Sequence, residues 1–347
     1  MPRTDFRTTV DDFAFRNSWT YDTTERNAIR GILTAALSAV GGPIGTIAGL
    51  TISISGQYGL CGGMAFAALD YYNLGWVVPR GSSQDNQPTR STPAGTILRN
   101  YMWSRLIDSL NSNGGTFLDW MANLNLVPEF LGGGSPCLLR RSRVQWTRLK
   151  QHIDAGQPWP IGLIGTTSNP TSNHQVLAIG YEEPGDGSGT IYVYDSNSPG
   201  GERRITMANI ASVVGNVLMA SEEAASPARG PLRGFFCEAY SPRVPPVAVG
   251  LSQGLSSTPS GARNLGDTVT FNFTAANYSF SSVPPLALHV VGRALVNNEN
   301  CDAGGGGAAR TVMAAGANRP ISHPAVLAGT AGLRDCAGIP PPVSWER

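Results

Sequence analysis

The sequence predicts an α+β domain followed by a small all-β sandwich. Three observations carry that expectation. Apolar residues recur at helical spacing through the first third of the chain, and strand-like runs replace them between Trp159 and Tyr240. Beyond the proline-rich Ser241-Pro-Arg-Val-Pro-Pro246 joint, period-two alternation persists and helical periodicity is absent. At 347 residues the chain is long for one domain. The expected boundaries are 1–240 for the first domain, 241–248 for a linker and 249–347 for the sandwich.

Thr23-Thr24-Glu25-Arg26 reads as a helix start, with a hydroxyl cap before an acidic first turn. That helix runs through Ile32, Leu33 and Leu37 to a stop at Gly41-Gly42-Pro43. Residues 44–55 are β-branched and partly alternating, so a strand or extended loop is expected. A second helix opens at Cys61, offers Met64, Leu69 and Tyr72 to one buried face, and ends near Gly75. A polar loop covers 79–93. Pro93 starts a third helix through Ile97, Tyr101, Leu106 and Leu110. The Arg140-Arg141-Ser142-Arg143 cluster reads as a solvated loop, and 146–156 as a short amphipathic helix stopped by glycine.

Strand-like runs follow at 159–164, 174–181 and 190–194, the last two joined across the turn-rich residues 183–189. Residues 204–207 and 234–240 supply two more. Helices first and an antiparallel sheet second make an α+β pattern. In the C-terminal part 266–274 alternates, 285–291 and 310–314 read as strands, and the Gly304–Gly307 run reads as a turn. A sandwich of about 100 residues fits that spacing.

Composition narrows the function classes. Charged residues make up 14% and the net charge is +1, so no electrostatic argument favours nucleic acid or an anionic membrane as partner. From Gly31 to Leu69 no residue is charged, yet Gly41-Gly42-Pro43 cuts this stretch and hydroxyl residues recur in it. Buried core is the favoured reading; a membrane-active segment over 31–54 is the other. The first residues lack the basic start and apolar run of a cleavable signal peptide. The expectation is a cytoplasmic chain, one exported by a signal-independent route, or one numbered from a trimmed start. Five cysteines is an odd count, so at least one does not pair within the chain. Cys301 and Cys336 are a candidate bridge in an oxidising compartment. The oligomeric state is not set by anything in the sequence.

Chemistry gathers at three places. Cys61 lies between a glycine-rich turn and a helix start, where the positive end of the helix dipole favours thiolate. His174 opens the best-formed strand. Asp195 closes the next one, so pairing of the two strands brings a carboxylate beside an imidazole. Each residue also has an ordinary reading: a core thiol, a surface histidine, a turn aspartate. Joint placement at element ends raises the odds of chemistry.

The ordered set Gly59-Leu-Cys-Gly-Gly-Met64, the helix, turn and strand of 149–165, His174-Gln-Val-Leu-Ala-Ile-Gly-Tyr181 and Tyr194-Asp-Ser-Asn-Ser-Pro-Gly200 resembles the papain-like cysteine peptidase superfamily. The likeness is to its bacterial branch related to bacteriocin-processing peptidases. The resemblance implies that Cys61 attacks an acyl carbon, His174 shuttles the proton and Asp195 holds the ring, with Asn197 the less favoured orienter. Such proteins carry an oxyanion-stabilising glutamine six residues before the cysteine, where this chain has Ser55. Gln57, four before, either takes that role or leaves the hole short of a donor, a loss that typically costs about 10²–10³ in rate.

The expected function is thus a thiol-dependent hydrolase cleaving a peptide or amide bond through a Cys61 acyl-enzyme, with no cofactor and no metal. Three alternatives stand beside it. One is an acyltransferase using the same thioester, another an inactive papain-like binding or structural protein, and the third membrane insertion by residues 31–54.

Overall fold

The computed structural model describes residues 1–40, 59–76, 78–79, 93–122, 138–165, 173–211, 218–221, 232–246, 249–258, 260, 268–277, 283–296, 299–313 and 318–326. Two compact units divide the chain, Met1–Thr92 with Leu98–Pro245 and Pro93–Ile97 with Pro246–Arg347. The first is α+β. Its helices are α1 (Thr23–Val40), α2 (Cys61–Asn73), α3 (Pro93–Ala122, which belongs to this unit from Leu98 on) and α4 (Leu138–Asp154). Its strands are β1 (Trp159–Ile164), β2 (His174–Glu182), β3 (Gly189–Tyr194), β4 (Arg203–Ala208), β5 (Leu218–Ser221) and β6 (Gly234–Cys237). They form one antiparallel sheet in the order β5-β4-β3-β2-β1-β6.

That sheet is covered on both faces, which is why its central strands read as apolar runs rather than clean alternations. Leu177 and Ile179 of β2, with Tyr192 and Tyr194 of β3, pack against α1, α2, α3 and the N-terminal segment. Val176 and Ala178 point the other way. They join Ile161, Leu163, Ile191, Val193, Ile205 and Phe235 under Trp146, Leu149 and Ile153 of α4. The period-two switch of faces thus distributes one strand between two cores.

Helix α2 is the central element, buried from Gly62 through Tyr71. Its paired glycines permit two close approaches. A Cβ at Gly63 would meet the Met102 carbonyl oxygen of α3 at 2.0 Å, and one at Gly62 would meet Gln175 Oε1 at 1.8 Å. At the far end of α2, buried Asp70 gathers a polar cluster. Arg105 Nε lies 2.7 Å from its carboxylate. Tyr101 and Tyr240 donate their hydroxyls to it at 2.7 Å each, and the Arg243 N–H at 2.8 Å.

The first twenty residues are woven into this unit. Strand β1 leaves β2 after the Trp159–Ala178 pair, and the N-terminal segment takes the next places. Thr4 N–H donates to the Ile179 carbonyl at 2.9 Å, Tyr181 N–H donates to the Pro2 carbonyl at 3.1 Å, and Arg3 faces Gly180. Phe6, Phe13, Phe15 and Trp19 are buried in the core above.

Several local expectations are corrected. Residues 140–143 belong to α4, not to a loop: Ser142 is buried, and Arg141 pairs with Asp119 at 2.5 Å. The α1 cap is not a hydroxyl but an Asp22–Glu25 capping box, with Glu25 N–H donating to Asp22 at 2.8 Å and Asp22 N–H to Glu25 at 3.1 Å. Helix α3 continues to Ala122 through Asn113-Gly114-Gly115. Strand β5 was not anticipated.

In the second unit β7 (Val249–Thr258), β8 (Thr268–Asn277) and β11 (Asn318–Val326) form a three-stranded antiparallel sheet, and β9 (Val283–Val296) pairs with β10 (Glu299–Met313). The Gly304–Gly307 run lies within β10 rather than forming a turn. Residues 41–58, including most of the candidate membrane-active segment 31–54, Ser55 and Gln57, lie outside the described residues, as do Cys137 and Cys336. Among the described residues no helix is long and apolar enough to cross a membrane.

Candidate active site

His174 opens β2 opposite Leu163 of β1, and Asp195 follows the last residue of β3. The antiparallel register sets Leu177 against Tyr194, which carries Asp195 back toward the start of β2. The result is a buried contact: His174 Nε2 lies 2.7 Å from Asp195 Oδ1, and the two residues are 4% and 2% exposed. A carboxylate accepts only, so Nε2 carries the proton here and Nδ1 is the nitrogen not engaged by Asp195. The same Oδ1 accepts the Asn197 N–H at 2.9 Å, and the Asp195 carbonyl accepts the Ser198 N–H at 3.0 Å. These bonds fix the aspartate in a tight turn.

Asn197 stands close by without replacing it. Its Nδ2 is 3.4 Å from His174 Nε2, but its Oδ1 accepts from Asn17 Nδ2 at 2.9 Å. The amide orientation that satisfies Asn17 presents an NH₂ group to an imidazole N–H, which is not a hydrogen bond. Asn17 is itself anchored by its N–H to the Ser196 carbonyl at 2.8 Å, and its side chain fills the space that a Cβ on Gly59 would need.

Cys61 begins α2 and is half-buried. No side chain caps that helix at its N-cap residue Leu60, so the first-turn N–H groups are not taken up by a capping oxygen there. Gly62 brings the same turn against Gln175, the neighbour of His174. Cys61 and His174 each act electrostatically on the Glu238 carboxyl. A second thiol, Cys237, is buried on β6, and burial pushes it up to about 12.

Beneath this neighbourhood lies a polar cluster that the sequence reading missed. Gln175 Nε2 donates to Glu238 Oε1 at 2.7 Å and also contacts Ser109 Oγ. Glu238 is fully buried, and burial raises its carboxyl to about 8 against the pull of the Gln175 bond. An acid closing the apolar run Gly234-Phe-Phe-Cys-Glu238 was the available signal. Asn17 had none. Among the described residues no cluster of three histidine, cysteine or acidic side chains forms a metal site.

Comparison of the chain with protein-family models, with curated proteins and with solved structures finds no match in any of the three.

Proposed function

We propose that the protein is a thiol-dependent hydrolase that opens a peptide or amide bond through a Cys61 thioester. The buried His174–Asp195 pair, 2.7 Å apart, is the observation that carries this reading, and the thiol that starts α2 is the nucleophile it would serve. Asp195 holds one ring nitrogen, and Nδ1 accepts the thiol proton. The sulfur attacks the acyl carbon, and the oxyanion that forms takes N–H donors from the first turn of α2. His174 returns the proton to the leaving amine as the tetrahedral adduct collapses to the thioester. Water, deprotonated by the same imidazole, then releases the acid. The order of these parts along the chain supports a papain-like first domain, and the five strands β7–β11 are read as an accessory sandwich.

Iodoacetamide labelling of native protein at pH 6, read by peptide mass spectrometry, tests the assignment. Cys61 is expected to react at least about tenfold faster than Cys237, with the advantage lost in His174→Ala. Equal rates at the two thiols would overturn the hydrolase reading in favour of a binding protein.

A further inference from the structure

Glu238 has no step in the mechanism above, yet it is a fully buried carboxyl within electrostatic reach of Cys61 and His174. Its surroundings are neutral where they touch it. Gln175 donates to one oxygen at 2.7 Å, and Ser109 Oγ lies 3.5 Å from the other. Its backbone is pinned as well: Glu238 N–H donates to the Pro160 carbonyl at 2.9 Å, and Trp159 Nε1 donates to the Glu238 carbonyl at 3.0 Å. So the carboxyl cannot drift, and neither can the Gln175 amide that it and Ser109 hold from two sides. That amide occupies the volume a Cβ on Gly62 would claim, directly behind Cys61.

We propose that Glu238, acting through Gln175, is a positioning residue that fixes the first turn of α2 and with it the Cys61 sulfur. This inference rests on the hydrolase reading of the site. Glu238 performs the task as a neutral acid. Burial opposes its ionisation, and a negative charge there would sit beside a thiolate. The ionisable groups around it are Cys61 from α2, His174 from β2 and Cys237 next to it on β6. Helix α4 brings Arg148 to Cys237 and stacks His152 on Trp159 at 3.6 Å, while α3 offers the neutral Ser109 and Asn113. A glutamine at 238 keeps the acceptor for Gln175. An alanine loses it.

The test measures the Cys61 alkylation rate against pH in full-length wild type, Glu238→Gln, Glu238→Ala and Gln175→Ala, at a temperature where circular dichroism shows each folded. Glu238→Ala and Gln175→Ala are expected to slow Cys61 about tenfold or more, and Glu238→Gln to keep the wild-type rate. The acid-limb midpoint should stay within about 0.3 pH unit of wild type in Glu238→Gln, because no charge has been removed. A midpoint lowered by about one unit would mean that Glu238 acts as a charge, and would overturn the neutral-anchor role. Wild-type rates in both alanine variants would overturn the positioning role while leaving the hydrolase intact. If Glu238→Ala does not fold, Gln175→Ala decides alone. A wild-type Cys61 no faster than Cys237 removes the hydrolase reading and this inference together.

Discussion

Asn17 holds the Asn197 side-chain amide at 2.9 Å, 180 positions along the chain, and thereby turns an NH₂ group toward His174. Of the two, Asp195 offers the imidazole an acceptor and Asn197 does not. Asp195→Ala is expected to lower the Cys61 acylation rate by about 10²–10⁴, the range in which losing the orienting carboxylate leaves the wrong tautomer. Asn197→Ala should cost far less. Single-turnover acylation with an activated ester reads both, and a larger effect at Asn197 would reverse the roles.

Gly63 and Gly62 face different neighbours. A methyl at 63 would meet α3 backbone at 2.0 Å, whereas one at 62 meets the end of the Gln175 side chain. Backbone cannot rotate away, so Gly63→Ala is expected to be the more destabilising, at or above the roughly 1–3 kcal/mol typical of overpacking. Gly62→Ala should lose Cys61 reactivity out of proportion to stability. Urea denaturation midpoints measured beside alkylation rates separate the two effects.

Arg105 is 2% exposed and pairs with fully buried Asp70, while another of its nitrogens donates to the Ser241 carbonyl at 2.8 Å. Arg105→Met leaves a carboxylate buried without its cation. A loss of about 3–5 kcal/mol is expected. A double change with Asp70→Asn should recover part of it, and thermal melts of the three variants check this.

Glu238 also sets a pH dependence of stability. Its folded carboxyl titrates near 8 and its unfolded one near 4.5, so between those values the folded chain holds a proton that the unfolded chain has released. Its contribution is complete below about pH 4.5 and is lost as pH rises toward 8, with a slope of at most about 1.4 kcal/mol per pH unit. Glu238→Gln removes the group. Denaturation at pH 5 and pH 7.5 should therefore show the variant gaining on wild type at the higher pH. A constant difference between the two would mean that the carboxyl is not held protonated.

Much of the frame was legible because it rests on periodicity. The apolar run after His174 and the turn before Thr190 gave two antiparallel strands, and their pairing brings Asp195 to His174 without any long-range information. What escaped was decided by tertiary contact. Asn113-Gly114-Gly115 signals a break by local preference, yet α3 passes through it. There Asn113 accepts the Ala239 N–H at 2.7 Å and donates to the Ala239 carbonyl at 3.1 Å. Residues 140–143 look solvated by charge count, but the turn they form buries Ser142 and engages Asp119 and the Asn209 carbonyl. Asn17 and Glu238 gain their meaning only from partners more than sixty positions away.

The threading of the first twenty residues has a consequence for how the protein is made. Pro2 and Thr4 need β2, and Asn17 needs Ser196 and Asn197, so residues 1–20 cannot dock until the chain has been made through Asn197. Until then Phe6, Phe13, Phe15 and Trp19 lack their core, and contacts of such long sequence separation form slowly. These apolar side chains therefore stay uncovered in the nascent chain until β2 and β3 have been made. The wall beside His174 closes only after the strand that bears it is complete, so the imidazole gains its surroundings late in folding.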